Sequence, residues 1–134
     1  MRKLARSFAL TLSLLACAAA QLPGILQPNT ILYVGGTCVS PDGRFHLDLQ
    51  KDGNVVLYRF NEKLWSAGTT GSSAARLCMQ PDGNFVLYGD GGDPLWSSNT
   101  AGNPGAQLRV QNDGNMVIYG VNQRVLWATE TARR

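Results

Sequence analysis

The sequence predicts an all-β domain built from three copies of one hairpin unit, and three observations carry that prediction. A nine-residue pattern occurs as Gln50-Lys51-Asp52-Gly53-Asn54-Val55-Val56-Leu57-Tyr58, as Gln80-Pro81-Asp82-Gly83-Asn84-Phe85-Val86-Leu87-Tyr88 and as Gln111-Asn112-Asp113-Gly114-Asn115-Met116-Val117-Ile118-Tyr119, at spacings of 30 and 31 residues. Each copy is followed by a second landmark, Leu64-Trp65-Ser66, Leu95-Trp96-Ser97 and Leu126-Trp127-Ala128. The 15 glycines and the charged fraction of 16% in 134 residues favour one β-rich domain over a helical or disordered chain.

The chain opens Met1-Arg2-Lys3-Leu4-Ala5-Arg6, continues without charge from Phe8 to Ala16 and ends this stretch in small residues up to Ala20. A basic start, an apolar run too short to span a bilayer and a small-residue end mark an export signal over residues 1–20. The expected location is therefore outside the cytoplasm. Leu14-Leu15-Ala16-Cys17 also resembles a bacterial lipobox, in which residues 1–16 are removed and an acylated Cys17 anchors the chain to a periplasmic or outer-membrane surface. Residues 21–28 read as a short linker before a domain at 29–134. Three of the twelve basic residues lie in the leader, which leaves nine against nine acidic ones. A formally neutral exported chain offers no basic patch for nucleic acid.

Cys38 and Cys78 remain after the leader, and an oxidising compartment predicts a disulfide between them. Such a bridge closes a loop of about 40 residues, worth roughly 4 kcal/mol on the chain-entropy model. Tyr33, in Ile31-Leu32-Tyr33-Val34, has the look of the Trp position of a missing preceding unit. On that reading the last unit is completed either by this N-terminal strand or by strand exchange in a homodimer.

Within each unit, Asp-Gly between two alternating segments is a strong hairpin signal, with Gly supplying positive φ. Alternation places Val55 and Leu57, Phe85 and Leu87, and Met116 and Ile118 on one face, with Leu47 and Leu49, Leu77 and Met79, and Leu108 and Val110 on the incoming strands. That face is the predicted core. The three tryptophans, at a period of 31 residues, suit a shared centre with pseudo-threefold symmetry better than a ligand platform.

The opposite face collects Gln50, Asp52, Asn54, Val56 and Tyr58, then Gln80, Asp82, Asn84, Val86 and Tyr88, then Gln111, Asp113, Asn115, Val117 and Tyr119. A bland reading makes these residues what solvent-facing strand positions tolerate. Against it, other outward positions vary between copies (Lys51, Pro81 and Asn112; His46, Arg76 and Gln107), while these five recur unchanged. Gln, Asn and Tyr both donate and accept, and Asp accepts, an inventory that matches sugar hydroxyls.

The pattern Gln-x-Asp-x-Asn-x-Val-x-Tyr resembles the mannose-binding motif of the bulb-type, snowdrop-like lectins, and the resemblance runs from about Asn29 to Thr131. It implies a β-prism II fold, three four-stranded antiparallel sheets with the tryptophans inside, and one mannose site per sheet. It also implies roles for the fifteen residues. The Asp and Asn of each copy hold the axial 2-hydroxyl, Gln the 3-hydroxyl and Tyr the 4-hydroxyl, and Val packs on ring carbons. The plant disulfide positions fall at Gly53 and Ala75 here, so a Cys38–Cys78 bridge departs from the family pattern. The leader implies a bacterial relative.

The expected partners are mannose-containing glycans, bound without cofactor or catalysis. A bacteriocin-like lectin acting on related bacteria and an interaction protein with vestigial sugar sites are the alternatives. An enzyme is disfavoured, because His46 is the one histidine and no nucleophile pairs with it. The Asp-Gly-Asn turns lack the further ligands of a calcium loop, so no metal is expected.

Overall fold

The computed structural model describes residues 21–133; the export signal, the lipobox and Cys17 lie outside the described residues. The described residues form thirteen strands: β1 (Gln21–Pro23), β2 (Ile25–Leu26), β3 (Thr30–Tyr33), β4 (Thr37–Val39), β5 (Phe45–Leu49), β6 (Val55–Arg59), β7 (Glu62–Ser66), β8 (Ala74–Met79), β9 (Phe85–Gly89), β10 (Pro94–Ser97), β11 (Gln107–Val110), β12 (Met116–Tyr119) and β13 (Val125–Ala128).

Each sequence repeat folds as an antiparallel meander of three strands, β5–β6–β7, β8–β9–β10 and β11–β12–β13. The register sets Leu47 opposite Leu57, Leu77 opposite Leu87 and Leu108 opposite Ile118. Because side chains alternate, these pairs and their neighbours two residues away share one face. All twelve predicted core residues are at most 1% exposed and belong to one cluster. Burying an aliphatic side chain of this size stabilises by roughly 1.5–3 kcal/mol, so the shared core ties the three sheets into one cooperative unit.

Trp65, Trp96 and Trp127 pack against that core edge to face, with ring centroids 5.5, 5.6 and 5.7 Å apart. The near-equal spacing places the pseudo-threefold axis among them. It also favours the edge-to-face geometry that aromatic quadrupoles prefer.

Residues 21–39 supply the remaining strands and correct several expectations. Strand β4 completes the first sheet, β3 the second and β2 the third, so all three sheets find a fourth strand within the chain. The first sheet is five-stranded, because β1 pairs with β4 in parallel. The expected linker at 21–28 is therefore structured, with Leu26 fully buried. The third unit is completed by Ile25–Leu26 rather than by the strand of Tyr33. Tyr33 faces outward opposite Arg76 and is largely exposed, while Leu32 takes the inward position, so it is no counterpart of the tryptophans. Gly24 lies where the chain crosses from the first sheet to the third; a Cβ there would press on the carbonyls of Val39 and Val110.

The expected disulfide does not form. Cys38 and Cys78 are both free thiols. Cys38 lies opposite Leu47 on the core face of the first sheet, and Cys78 lies opposite Val86 on the outward face of the second. Different sheets and opposite faces keep the two apart. The Cys38 thiol donates instead to the Pro23 carbonyl at 3.0 Å, and burial pushes its pKa up to about 12.

Candidate carbohydrate-binding site

Each Asp-Gly turn is a three-residue hairpin loop. In the first copy the Gln50 N–H donates to the Asn54 carbonyl at 2.9 Å and the Gly53 N–H to the Gln50 carbonyl at 3.0 Å, and the same pair of bonds recurs in the other two. Gly53, Gly83 and Gly114 have φ of 92°, 93° and 93°, the left-handed residue that follows a type I turn in such loops. The turn therefore rests on the backbone of Gln as well as on Asp-Gly.

The motif side chains then organise one another. Asp52, Asp82 and Asp113 each accept the N–H of the Asn two residues on, through Oδ1 at 2.9 Å. In these Asx turns Oδ2 of each Asp makes no hydrogen bond among the described residues. Gln50 and Gln111 donate from Nε2 to the hydroxyls of Tyr58 and Tyr119 at 2.6 Å, and in the second copy the Tyr88 hydroxyl donates to Gln80 Oε1 at 3.0 Å. The strand register shifts at each of these tyrosines, between Leu57 and Tyr58, Leu87 and Tyr88, and Ile118 and Tyr119. A bulge there re-aims the ring toward Gln.

The asparagines have a second duty that the motif did not disclose. Asn54, Asn84 and Asn115 accept through Oδ1 from the backbone N–H groups of Thr69, Thr100 and Thr131, at 3.0, 3.1 and 3.3 Å. The same threonines donate from Oγ1 to the carbonyls of Gly53, Gly83 and Gly114, at 2.8, 2.6 and 2.7 Å. Their signal was present in the chain, because a Thr stands four residues after each Trp. With Oδ1 occupied, each Asn has only its amide N–H groups left for a ligand.

The five motif residues of each copy thus sit together on the outward face of their own sheet, with two corrections, the first being that Asn54 is 5% exposed while Asn84 and Asn115 are half-buried. Val56, Val86 and Val117 are at most 3% exposed, sunk between cross-strand neighbours instead of standing proud of the sheet. The surroundings also differ. Tyr58 stacks on His46 with centroids 5.3 Å apart, whereas the guanidinium groups of Arg76 and Arg109 lie over Tyr88 and Tyr119 at 5.0 and 4.9 Å. Asn112 is tied by hydrogen bonds to Asp42 and Arg44, contacts that Lys51 and Pro81 do not make. Asp42 itself is held below the usual carboxylate range, chiefly by the Arg44 N–H. Among the described residues no group of three or more His, Cys, Asp or Glu is arranged to hold a metal ion.

The fold has close counterparts among solved structures. The snowdrop (Galanthus nivalis) mannose-specific agglutinin, solved with methyl-alpha-D-mannoside, aligns with a TM-score of 0.69 at 38% identity over 83% of this chain and 99% of that chain. The chain belongs to the bulb-type lectin family. Its three sheets are those of the family's β-prism II fold, with one strand added to the first. The Marasmius oreades lectin gives this bulb-type lectin a TM-score of 0.77 at 31% identity, covering 84% of this chain and 97% of that chain. Among curated sequences it is 43% identical over 67 residues to the B-type lectin plumieribetin of Scorpaena plumieri, which is 50% of this chain and 58% of that protein. It thus spans little more than half the length of such curated relatives. No protein-family model matches it.

Proposed function

We propose that the protein is an exported lectin that binds α-linked mannose and mannose-rich glycans at three sites, one per sheet, without catalysis. One observation carries the reading. The same five side chains recur on all three sheets, with Gln paired to Tyr and Asp and Asn bonded to the local backbone in every copy, and among the described residues Asp Oδ2 and Asn Nδ2 of every copy are left without a partner. An acceptor and a donor side by side suit a single hydroxyl that both donates and accepts. The Gln–Tyr pair offers the same for the next two.

On this reading an axial 2-hydroxyl meets Asp and Asn, and Gln and Tyr take the 3- and 4-hydroxyls. An equatorial 2-hydroxyl leaves the Asp and Asn groups unmatched, a loss of about 1–3 kcal/mol that disfavours glucose. Val lies too deep to add more than a floor. Each open site binds one sugar with Kd on the order of 1 mM, about 4 kcal/mol, and three sites on one chain give avidity for branched glycans.

The test is a titration followed by NMR at the side-chain amides of Asn54, Asn84 and Asn115. Methyl α-mannoside is expected to shift all three in the low millimolar range, and methyl α-glucoside to need at least tenfold more. Equal response to both sugars, or none at tens of millimolar, removes the reading.

A further inference from the structure

The first site has a neighbour that the other two lack. The hairpin leaving Tyr58 turns through Phe60 and Asn61, whereas the corresponding stretches are Gly89-Asp90-Gly91-Gly92-Asp93 and Gly120-Val121-Asn122-Gln123-Arg124, without an aromatic residue. Phe60 is 60% exposed and its φ is 52°. Positive φ on a bulky residue is strained and persists only where the surroundings fix it. Here the Phe60 N–H donates to the Arg44 carbonyl at 3.2 Å and its carbonyl meets His46 Nε2 at 3.1 Å. The backbone that carries this exposed ring is thus fixed next to a sugar site, and the Arg59 guanidinium lies over the ring at 5.7 Å, which leaves its opposite face for a ligand.

The space beside that ring is continuous with the site. A hollow of about 370 Å³ is lined by His46, Asp48, Gln50, Tyr58, Phe60 and Asn61. Gln50 and Tyr58 are motif residues, so a ligand held by them enters the hollow without leaving the first copy. The Phe60 ring offers an apolar platform for the C–H face of a second pyranose. Asn61 and the second carboxylate oxygen of Asp48 offer an acceptor and donors at its edge; Asp48 Oδ1 is already engaged by Thr37 and His46, at 2.6 and 2.9 Å.

We propose that the first site is an extended one, in which Gln50 to Tyr58 hold one mannose and Phe60, Asn61 and Asp48 hold the adjoining sugar of an oligosaccharide. This rests on the three-site mannose reading above and deepens it. The second and third sites take a single terminal sugar, and the first selects a disaccharide or longer.

The experiment compares methyl α-mannoside with α-linked dimannosides of different linkage, read separately at Asn54, Asn84 and Asn115 by NMR. At least one dimannoside is expected to bind the Asn54 site about tenfold more tightly than the monosaccharide, with no such gain at the other two. Phe60→Asn, a residue at ease with positive φ, is expected to erase that gain while methyl mannoside still binds all three sites. Phe60→Tyr is expected to keep it. A gain of equal size at all three sites, a gain that survives Phe60→Asn, or intact monosaccharide binding with no gain for any dimannoside overturns the extended site alone. Absence of any response to either sugar overturns the mannose reading and this inference with it.

Discussion

The first and third copies carry identical motif residues and identical internal hydrogen bonds, yet the segments that clamp them differ in kind. Asn54 is held by Thr69 in a loop running on into the second sheet, with Ala67 and Gly68 before it. Asn115 is held by Thr131 in the last residues of the chain, with Thr129 and Glu130 before it. Each Asn Oδ1 takes a second bond from a different residue: in the first clamp from the Thr69 hydroxyl itself at 3.4 Å, in the third from the Thr129 hydroxyl at 3.2 Å, where the first copy has Ala67. The second copy agrees with the third, with Ser98 in that place at 3.3 Å. The first clamp closes with the Gly71 N–H on the Asp52 carbonyl, the third with the Arg133 N–H on the Asp113 carbonyl. Site integrity in this fold is thus decided outside the motif, by the four residues that follow each Trp strand.

Removing the terminal clamp breaks the comparison most severely. A chain ending at Ala128 loses the bonds from Thr129 to Asn115 and the Met116 carbonyl, from Thr131 to Asn115 and the Gly114 carbonyl, and from Arg133 to the Asp113 carbonyl. At about 0.5–1.5 kcal/mol net for each of these five bonds, stability falls by roughly 2.5–7.5 kcal/mol. Denaturant melts should read that loss. In the mannoside titration the Asn115 response should vanish while those of Asn54 and Asn84 persist. An unchanged Asn115 response would show that the turn holds its shape unaided.

Single-residue versions grade the three clamps. Thr100→Val leaves the Gly83 carbonyl without its donor at a site where Thr100 is 6% exposed, and a buried unsatisfied group costs about 1–3 kcal/mol. Thr69→Val and Thr131→Val act at half-buried positions, where water replaces the lost hydroxyl, so each should cost about 1 kcal/mol or less. The measured order should be Thr100 above the other two, with each variant weakening mannoside only at its own Asn. If every variant weakened all three sites alike, the sheets would not be acting as separate sites.

The core and the hairpins were legible because period-two alternation and Asp-Gly are local signals, read within a few residues. The pairing of Asn with Thr was not, since it joins residues 15 or 16 apart across a loop and is visible only as a Trp-to-Thr spacing that nobody needs for a hairpin. The destinations of residues 21–39 were equally hidden. Strands of two to four residues carry little periodicity, and which sheet receives each is set by the chain path around the shared core. Two cysteines in an exported chain suggested a bridge. Facing, which is a matter of strand parity and sheet membership, decided otherwise.

The smallest prediction concerns the backbone between the Trp strand and the clamping Thr. Gly68, Asn99 and Glu130 occupy equivalent positions, with φ of 74°, 58° and 60°. Left-handed φ is free for Gly, tolerated by Asn and unfavourable by roughly 1–2 kcal/mol for most other L residues. The first two copies therefore carry residues suited to the turn, and the third holds Glu in a conformation that its own chemistry resists. Glu130→Asn should remove part of that strain and raise stability by about 0.5–1 kcal/mol, a gain of a few degrees in Tm with mannoside affinity at Asn115 unchanged or slightly better. The converse change, Gly68→Glu, imports the same strain into the first copy and should lower Tm by a similar amount. Opposite shifts of comparable size would show that the loops are interchangeable parts. A neutral Glu130→Asn would mean instead that the third clamp owes its shape to its hydrogen bonds alone.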